Sequence, residues 1–143
     1  MIDHVWSVLC SRAVIDKESN NVSIQNVLER VTVGAEPEPN LALPIEHEVI
    51  SFWTRRETDV RERAKVRIKY VTPSGHEFAV HEQDIDLTQH ANYRTRVRSL
   101  TLRYVETGRH FFEVEIQPEG VEEWQRVASI PIDMRFEPAL MSK

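Results

Sequence analysis

Between Arg63 and Val71 the chain alternates without a break. Ala64, Val66, Ile68 and Tyr70 take one parity, and Arg63, Lys65, Arg67 and Lys69 take the other. Period two is the repeat of an extended strand, whose successive side chains point to opposite faces. The segment therefore reads as a strand with one buried face and one wholly basic face, and a chain containing it must supply a sheet and something to cover that sheet. Thr72-Pro73-Ser74-Gly75 follows, with proline early and glycine late, which marks a tight turn. His76–Leu87 is the expected antiparallel partner. It places Phe78 and Val80 on one parity and Ile85 and Leu87 on the other, a change of phase.

The N-terminal third repeats the theme with a different pattern. Val5, Trp6, Val8, Leu9, Cys10, Ala13, Val14 and Ile15 crowd into His4–Ile15. So continuous an apolar run fits a strand covered on both faces. A helical stripe through Val5 and Leu9 would continue to Arg12 and Asp16, and fails there as an apolar face. Asp16–Asn21 is polar and holds two adjacent asparagines. Asp and Asn bond to their own backbone and Asn tolerates positive φ, so this is a hairpin turn. The second arm, Val22–Val33, changes phase after Asn26. A bulge would do this, and so would a helix through Ile24, Val27, Leu28 and Val31 capped by Ser23.

Cys10 in its apolar strand, Asp16, Asn21-Val22-Ser23-Ile24 and Val27-Leu28-Glu29-Arg30-Val31 resemble the opening of a bacterial family of small proteins of unknown function. The resemblance lies mainly over residues 4–33. It implies a β-sandwich and brings no activity with it. The family tends to carry a glycine where this chain has Asn26; both residues accept left-handed backbone angles, which fits a bulge.

Further strands are expected over His47–Arg56, Tyr93–Val105, His110–Gln117 and Trp124–Met134. Between them lie the Gly34–Glu46 crossover with Pro37, Pro39 and Pro44, a hairpin signal at Glu106–Arg109, and turns at Thr88–Asn92 and Pro118–Gly120. Tyr93–Val105 also changes phase, near Arg98-Ser99. The result is an all-β antiparallel β-sandwich of about eight strands, with a closed β-barrel as the alternative. At 143 residues, one domain spanning 1–143 is expected.

Composition limits the function classes. Hydrophobic residues make up 41% and charged residues 29%, the balance of a folded globular domain. No apolar run approaches the ~20 residues of a membrane helix, and Met1–His4 shows no basic region of a secretory signal. A single cysteine, Cys10, has no internal partner, which points to a reducing compartment, the cytoplasm. The net charge of −5 disfavours a general affinity for nucleic acid or for an anionic membrane.

Three groups of residues invite a functional reading. Arg63, Lys65, Arg67 and Lys69 on one strand and Arg94, Arg96 and Arg98 on another form rows of cations. If the strands were neighbours, these would hold an anionic ligand. The competing reading is that Glu77, Glu82, Glu113 and Glu115 lie across from them in solvated cross-strand pairs. Glu82, Asp84 and Asp86 share a parity and could offer oxygen ligands to Ca²⁺. Phe111 is out of phase with Phe112, Val114 and Ile116 and is expected to be exposed, as a partner contact.

No catalytic residue and no cofactor are assigned. Cys10 sits in an apolar strand, where burial makes a thiol inert. No nucleophile elbow, zinc-protease motif or phosphate-binding glycine loop is present. The expectation is a non-enzymatic β-sandwich that binds another protein or itself. An anion-binding module on the basic rows is the alternative, followed by a calcium-dependent module or an enzyme.

Overall fold

The clearest alternating segment forms the middle of a sheet. In a computed structural model that describes residues 1–57 and 59–138, with the side chains of Ala79 and Val80 outside the description, Glu62–Val71 (β6) pairs on both sides. The other strands are β1 (Ile2–Ile15), β2 (Val22–Val27), β3 (Arg30–Val33), β4 (Ala42–Leu43), β5 (His47–Arg55), β7 (Glu77–Leu87), β8 (Asn92–Ser99), β9 (Leu102–Arg103), β10 (Gly108–Pro118) and β11 (Gln125–Phe136). They build a four-stranded sheet, β2-β1-β5-β8, a five-stranded sheet, β3-β11-β10-β6-β7, and a small β4-β9 pair. Every pairing is antiparallel except β3 with β11.

The two large sheets enclose one core, as a sandwich does. Leu9, Val49, Trp53 and Val97 line the four-stranded side, facing Val66, Ile68, Tyr70, Phe112, Val114, Ile116 and Ile132. The Trp53 indole is satisfied within this core by Thr95 Oγ1 at 3.0 Å. His110 is also buried there, stacked on Tyr70 with ring centroids 5.2 Å apart and Nδ1 3.0 Å from the Gly108 carbonyl.

The turns follow their local chemistry. Asp16 Oδ1 accepts from the N–H groups of Glu18 and Ser19, and Asn20 takes φ 62°. Asn26 takes φ 55°, the left-handed geometry that suits a bulge. The β6–β7 ladder slips where Ile68 faces His81 and Lys69 faces Ala79, which puts one extra residue at 80 and accounts for the phase change there. The expected inward side chain of Val80, and the last five residues of the expected 1–143 domain, lie outside the described residues.

Three expectations are corrected. Val22–Val33 is neither a helix nor one continuous arm: Val22–Val27 (β2) forms the expected hairpin with β1 in the four-stranded sheet, and β3 crosses to the five-stranded one. The phase change at Asn26 therefore precedes a change of sheet. Tyr93–Val105 likewise breaks at Ser99, where β8 ends and the chain moves to β9. Glu106–Arg109 joins two different sheets, so it is a crossover and not a hairpin. Gly108 is needed there because its φ is 117° and a Cβ would stand 3.0 Å from Pro73 Cγ.

Candidate functional site

The outer face of the four-stranded sheet departs from the usual polar exterior. Three cross-strand rows point away from the core: Trp6–Phe52–Arg94, Val8–Ile50–Arg96 and Cys10–Glu48–Arg98. Trp6 and Phe52 stack, with centroids 5.9 Å apart and planes 14° apart, and both are half-buried. Cys10, Ala13 and Ile50 are buried, with Trp6, Val8, Val22 and Ile24 packed around them. This second apolar cluster lies outside the main core.

A buried carboxylate sits at its edge. Arg96 donates from Nε to Glu48 Oε1 at 2.8 Å and from Nη2 to Oε2 at 3.0 Å. The same Nη2 donates to the Ala13 carbonyl at 2.8 Å, while the Ala13 N–H donates to Glu48 Oε2 at 3.2 Å. β1 has parted from β5 by this point, so a backbone N–H and C=O that would have no strand partner are satisfied by a side-chain ion pair. Burial pushes the Glu48 carboxyl up. The Arg96 and Ala13 hydrogen bonds and the charges of Arg96 and Arg98 outweigh that and hold it below its usual value. Burial raises the Cys10 thiol, and the Glu48 charge adds to the effect.

The outer face of the five-stranded sheet is a charged network. Arg67 donates to Glu115 at 2.7 Å, Lys69 stands 3.3 Å from the same carboxylate and 3.7 Å from Glu77, and Arg63 lies 3.5 Å from Asp86. Glu113 is answered by Arg126 at 3.1 Å. The Trp124 ring lies over the Arg67 guanidinium at 4.1 Å. Burial raises Glu115, but its hydrogen bonds to Arg67 and Lys69 win and keep it below the ordinary range.

The predicted residues thus fall in two places. Arg63, Lys65, Arg67 and Lys69 lie on the outside of one sheet, and Arg94, Arg96 and Arg98 on the outside of the other. The single surface of seven cations is therefore corrected to two rows facing away from each other, because β6 and β8 belong to different sheets. Arg98, with Glu46 and Glu48 each 3.7 Å away, keeps more than half of its side chain exposed.

Glu82, Asp84 and Asp86 are in register with Arg67, Lys65 and Arg63. Each carboxylate therefore faces a cation, and among the described residues no three His, Cys, Asp or Glu side chains come together in a way that could hold a metal. Phe111 is half-buried and not fully exposed, because Val71 and Pro131 flank it in register. Sequence reasoning missed Glu48. The available signal was a carboxylate in the same parity as Ile50 and Phe52, an outward row too apolar for a solvated face.

No family model matches the chain, and no curated protein matches it. Among solved structures it is similar to a β-glucosidase from Listeria innocua in complex with glucose, at 9% identity and a TM-score of 0.46, over 77% of this chain and 15% of that one. It is also similar to the Pseudomonas fluorescens alkylpurine DNA glycosylase AlkC bound to DNA containing an abasic site analog, at 15% identity and a TM-score of 0.33, over 90% of this chain and 30% of that one. A third likeness is to the N-terminal domain of PorA, at 9% identity and a TM-score of 0.32, over 93% of this chain and 98% of that one. The chain spans less than a third of the glucosidase and of the glycosylase. These likenesses assign no activity and no ligand to this chain. No helix among the described residues is long and apolar enough to cross a membrane.

Proposed function

We propose that this protein is a non-enzymatic interaction module that associates with a second copy of itself through the outer face of its four-stranded sheet. The observation that carries this reading is the half-buried Trp6–Phe52 stack on that face, contiguous with Val8 and the Cys10–Ala13–Ile50 cluster. Aromatic residues and arginine dominate the energetics of protein interfaces, and Arg98 stands exposed on the same face. Phe111, on the opposite face, is a secondary contact. The reading includes a bacterial, cytoplasmic setting, supported by the resemblance over residues 4–33 and by a lone thiol kept buried and protonated.

Sedimentation over a roughly hundredfold range of concentration tests it, since a self-association must follow mass action. The expected outcome is a monomer–dimer equilibrium that Phe52→Glu shifts to monomer by placing a charge in the contact. A wild-type protein that stays monomeric at every concentration overturns the reading.

A further inference from the structure

The β1–β2 hairpin doubles back over its own sheet. β1 pairs with β5 as far as Cys10, opposite Glu48. A straight continuation would carry the hairpin tip past the start of β5, away from Phe52. Instead Arg94, which is in register with Phe52, donates from Nη2 to the Asn20 carbonyl at 2.9 Å. Asn20 lies in the turn at the hairpin tip, so the tip folds back within reach of the Arg94 side chain on the outer face.

Three bonds from β5 and β8 side chains hold it there: Glu48 to the Ala13 N–H, Arg96 to the Ala13 carbonyl and Arg94 to the Asn20 carbonyl. Beneath it lie Cys10 and Ile50, against which Ala13, Val22 and Ile24 pack. None of these residues belongs to the main core, which resumes at Leu28, just beyond Asn26. Asn26 donates its side-chain amide to Ser11 Oγ at 2.7 Å, so the two arms are tied together at the point where they leave the sheet. An element with its own small apolar contact, a polar fastening and a tied base can open alone, because local stability follows local contacts.

We propose that residues 11–26 form a hinged flap, latched by Glu48 and Arg96, that opens as a unit while the sandwich stays folded and so bares Cys10 and Ile50, beside Val8 and Trp6. The hinge stands on its own contacts. The identity of what the bared face takes up, a second copy, rests on the self-association proposed above.

Cys10 is the only thiol and reports the opening directly. The experiment measures the rate at which a thiol reagent labels native protein across a urea series. Opening of the flap exposes little surface, so the rate at low urea is expected to be nearly independent of urea and far above the value that global unfolding permits. Glu48→Gln and Arg96→Met are expected to raise that rate by roughly tenfold or more while keeping the shallow slope, since each removes a charge-assisted bond from the latch. Arg94→Gln, which removes only the tip bond, is expected to raise it less and remains available should a buried-site variant fail to fold. Labelling that follows the full urea dependence of global unfolding in wild type and variants alike overturns the flap. Sedimentation of the same variants separates the two readings: fast, urea-independent labelling in a strict monomer supports the flap and removes the self-association.

Discussion

Each outer face of the sandwich buries one carboxylate beneath an arginine, and the two are covered differently. The Glu48 side chain is 1% exposed and is closed over by the chain's own hairpin backbone, with Arg96 bridging the carboxylate to Ala13. The Glu115 side chain is 12% exposed and is shared between Arg67 and Lys69, with Trp124 lying on Arg67. Arg96 and Arg67 are equally exposed, at 27%. The cover distinguishes the sites. A carboxylate sealed under backbone, with one hydrogen-bonded cation and Arg98 no closer than 3.7 Å, depends chiefly on that one cation. One left at a charged surface with two cations does not.

The largest expected effect follows from this. Arg96→Met leaves Glu48 without its close counter-charge and the Ala13 carbonyl without its donor, and should cost about 3–5 kcal/mol of stability, read from urea unfolding. Arg67→Met leaves Glu115 with Lys69 and with access to water, and should cost about 1 kcal/mol by the same measurement. Equal losses at the two sites would break the comparison.

The smallest effect is the dependence on pH. Glu48 and Glu115 are held below their usual values, so their contribution is complete above the unfolded-state value and is lost as the pH falls through the depressed folded-state values. His110 is lowered by burial, against opposing effects of its bond to Gly108 and the charge of Glu106. His4 is lowered by burial as well. The neutral imidazoles favour the folded state, and that contribution begins to fade once the pH drops below the ordinary histidine value of 6.5. A series of urea midpoints against pH should therefore show a shallow loss first and a steeper one at lower pH. His110→Gln should flatten the first, and Glu48→Gln should reduce the second more than Glu115→Gln does.

Much of the fold was legible because its signals are local. The alternation of Arg63–Val71 names a strand from nine consecutive residues, Asp16–Asn21 closes a turn with its own side chains, and Thr72–Gly75 does the same by proline and glycine geometry. The site was legible only in fragments. Arg94, Arg96 and Arg98 could be seen to share a face, but the four-stranded sheet was needed to set Arg96 beside Ile50 and against Glu48. Glu48 itself looked like an ordinary polar position between His47 and Val49. Its burial comes from a hairpin whose tip lies far away in sequence.

The amino-acid order alone determined most of the strand segments, with their alternating parities, and local turns such as Asp16–Asn21 and Thr72–Gly75, because period-two patterning and turn chemistry act over a few neighbouring residues. The tertiary structure decided which strands share a sheet, which row of cations lies on which side, and that residues 11–26 fold over an outer face. Those outcomes depend on contacts between segments distant in the chain, such as Asn20 with Arg94 and Ala13 with Glu48, and no local pattern encodes a partner that folding has yet to bring near.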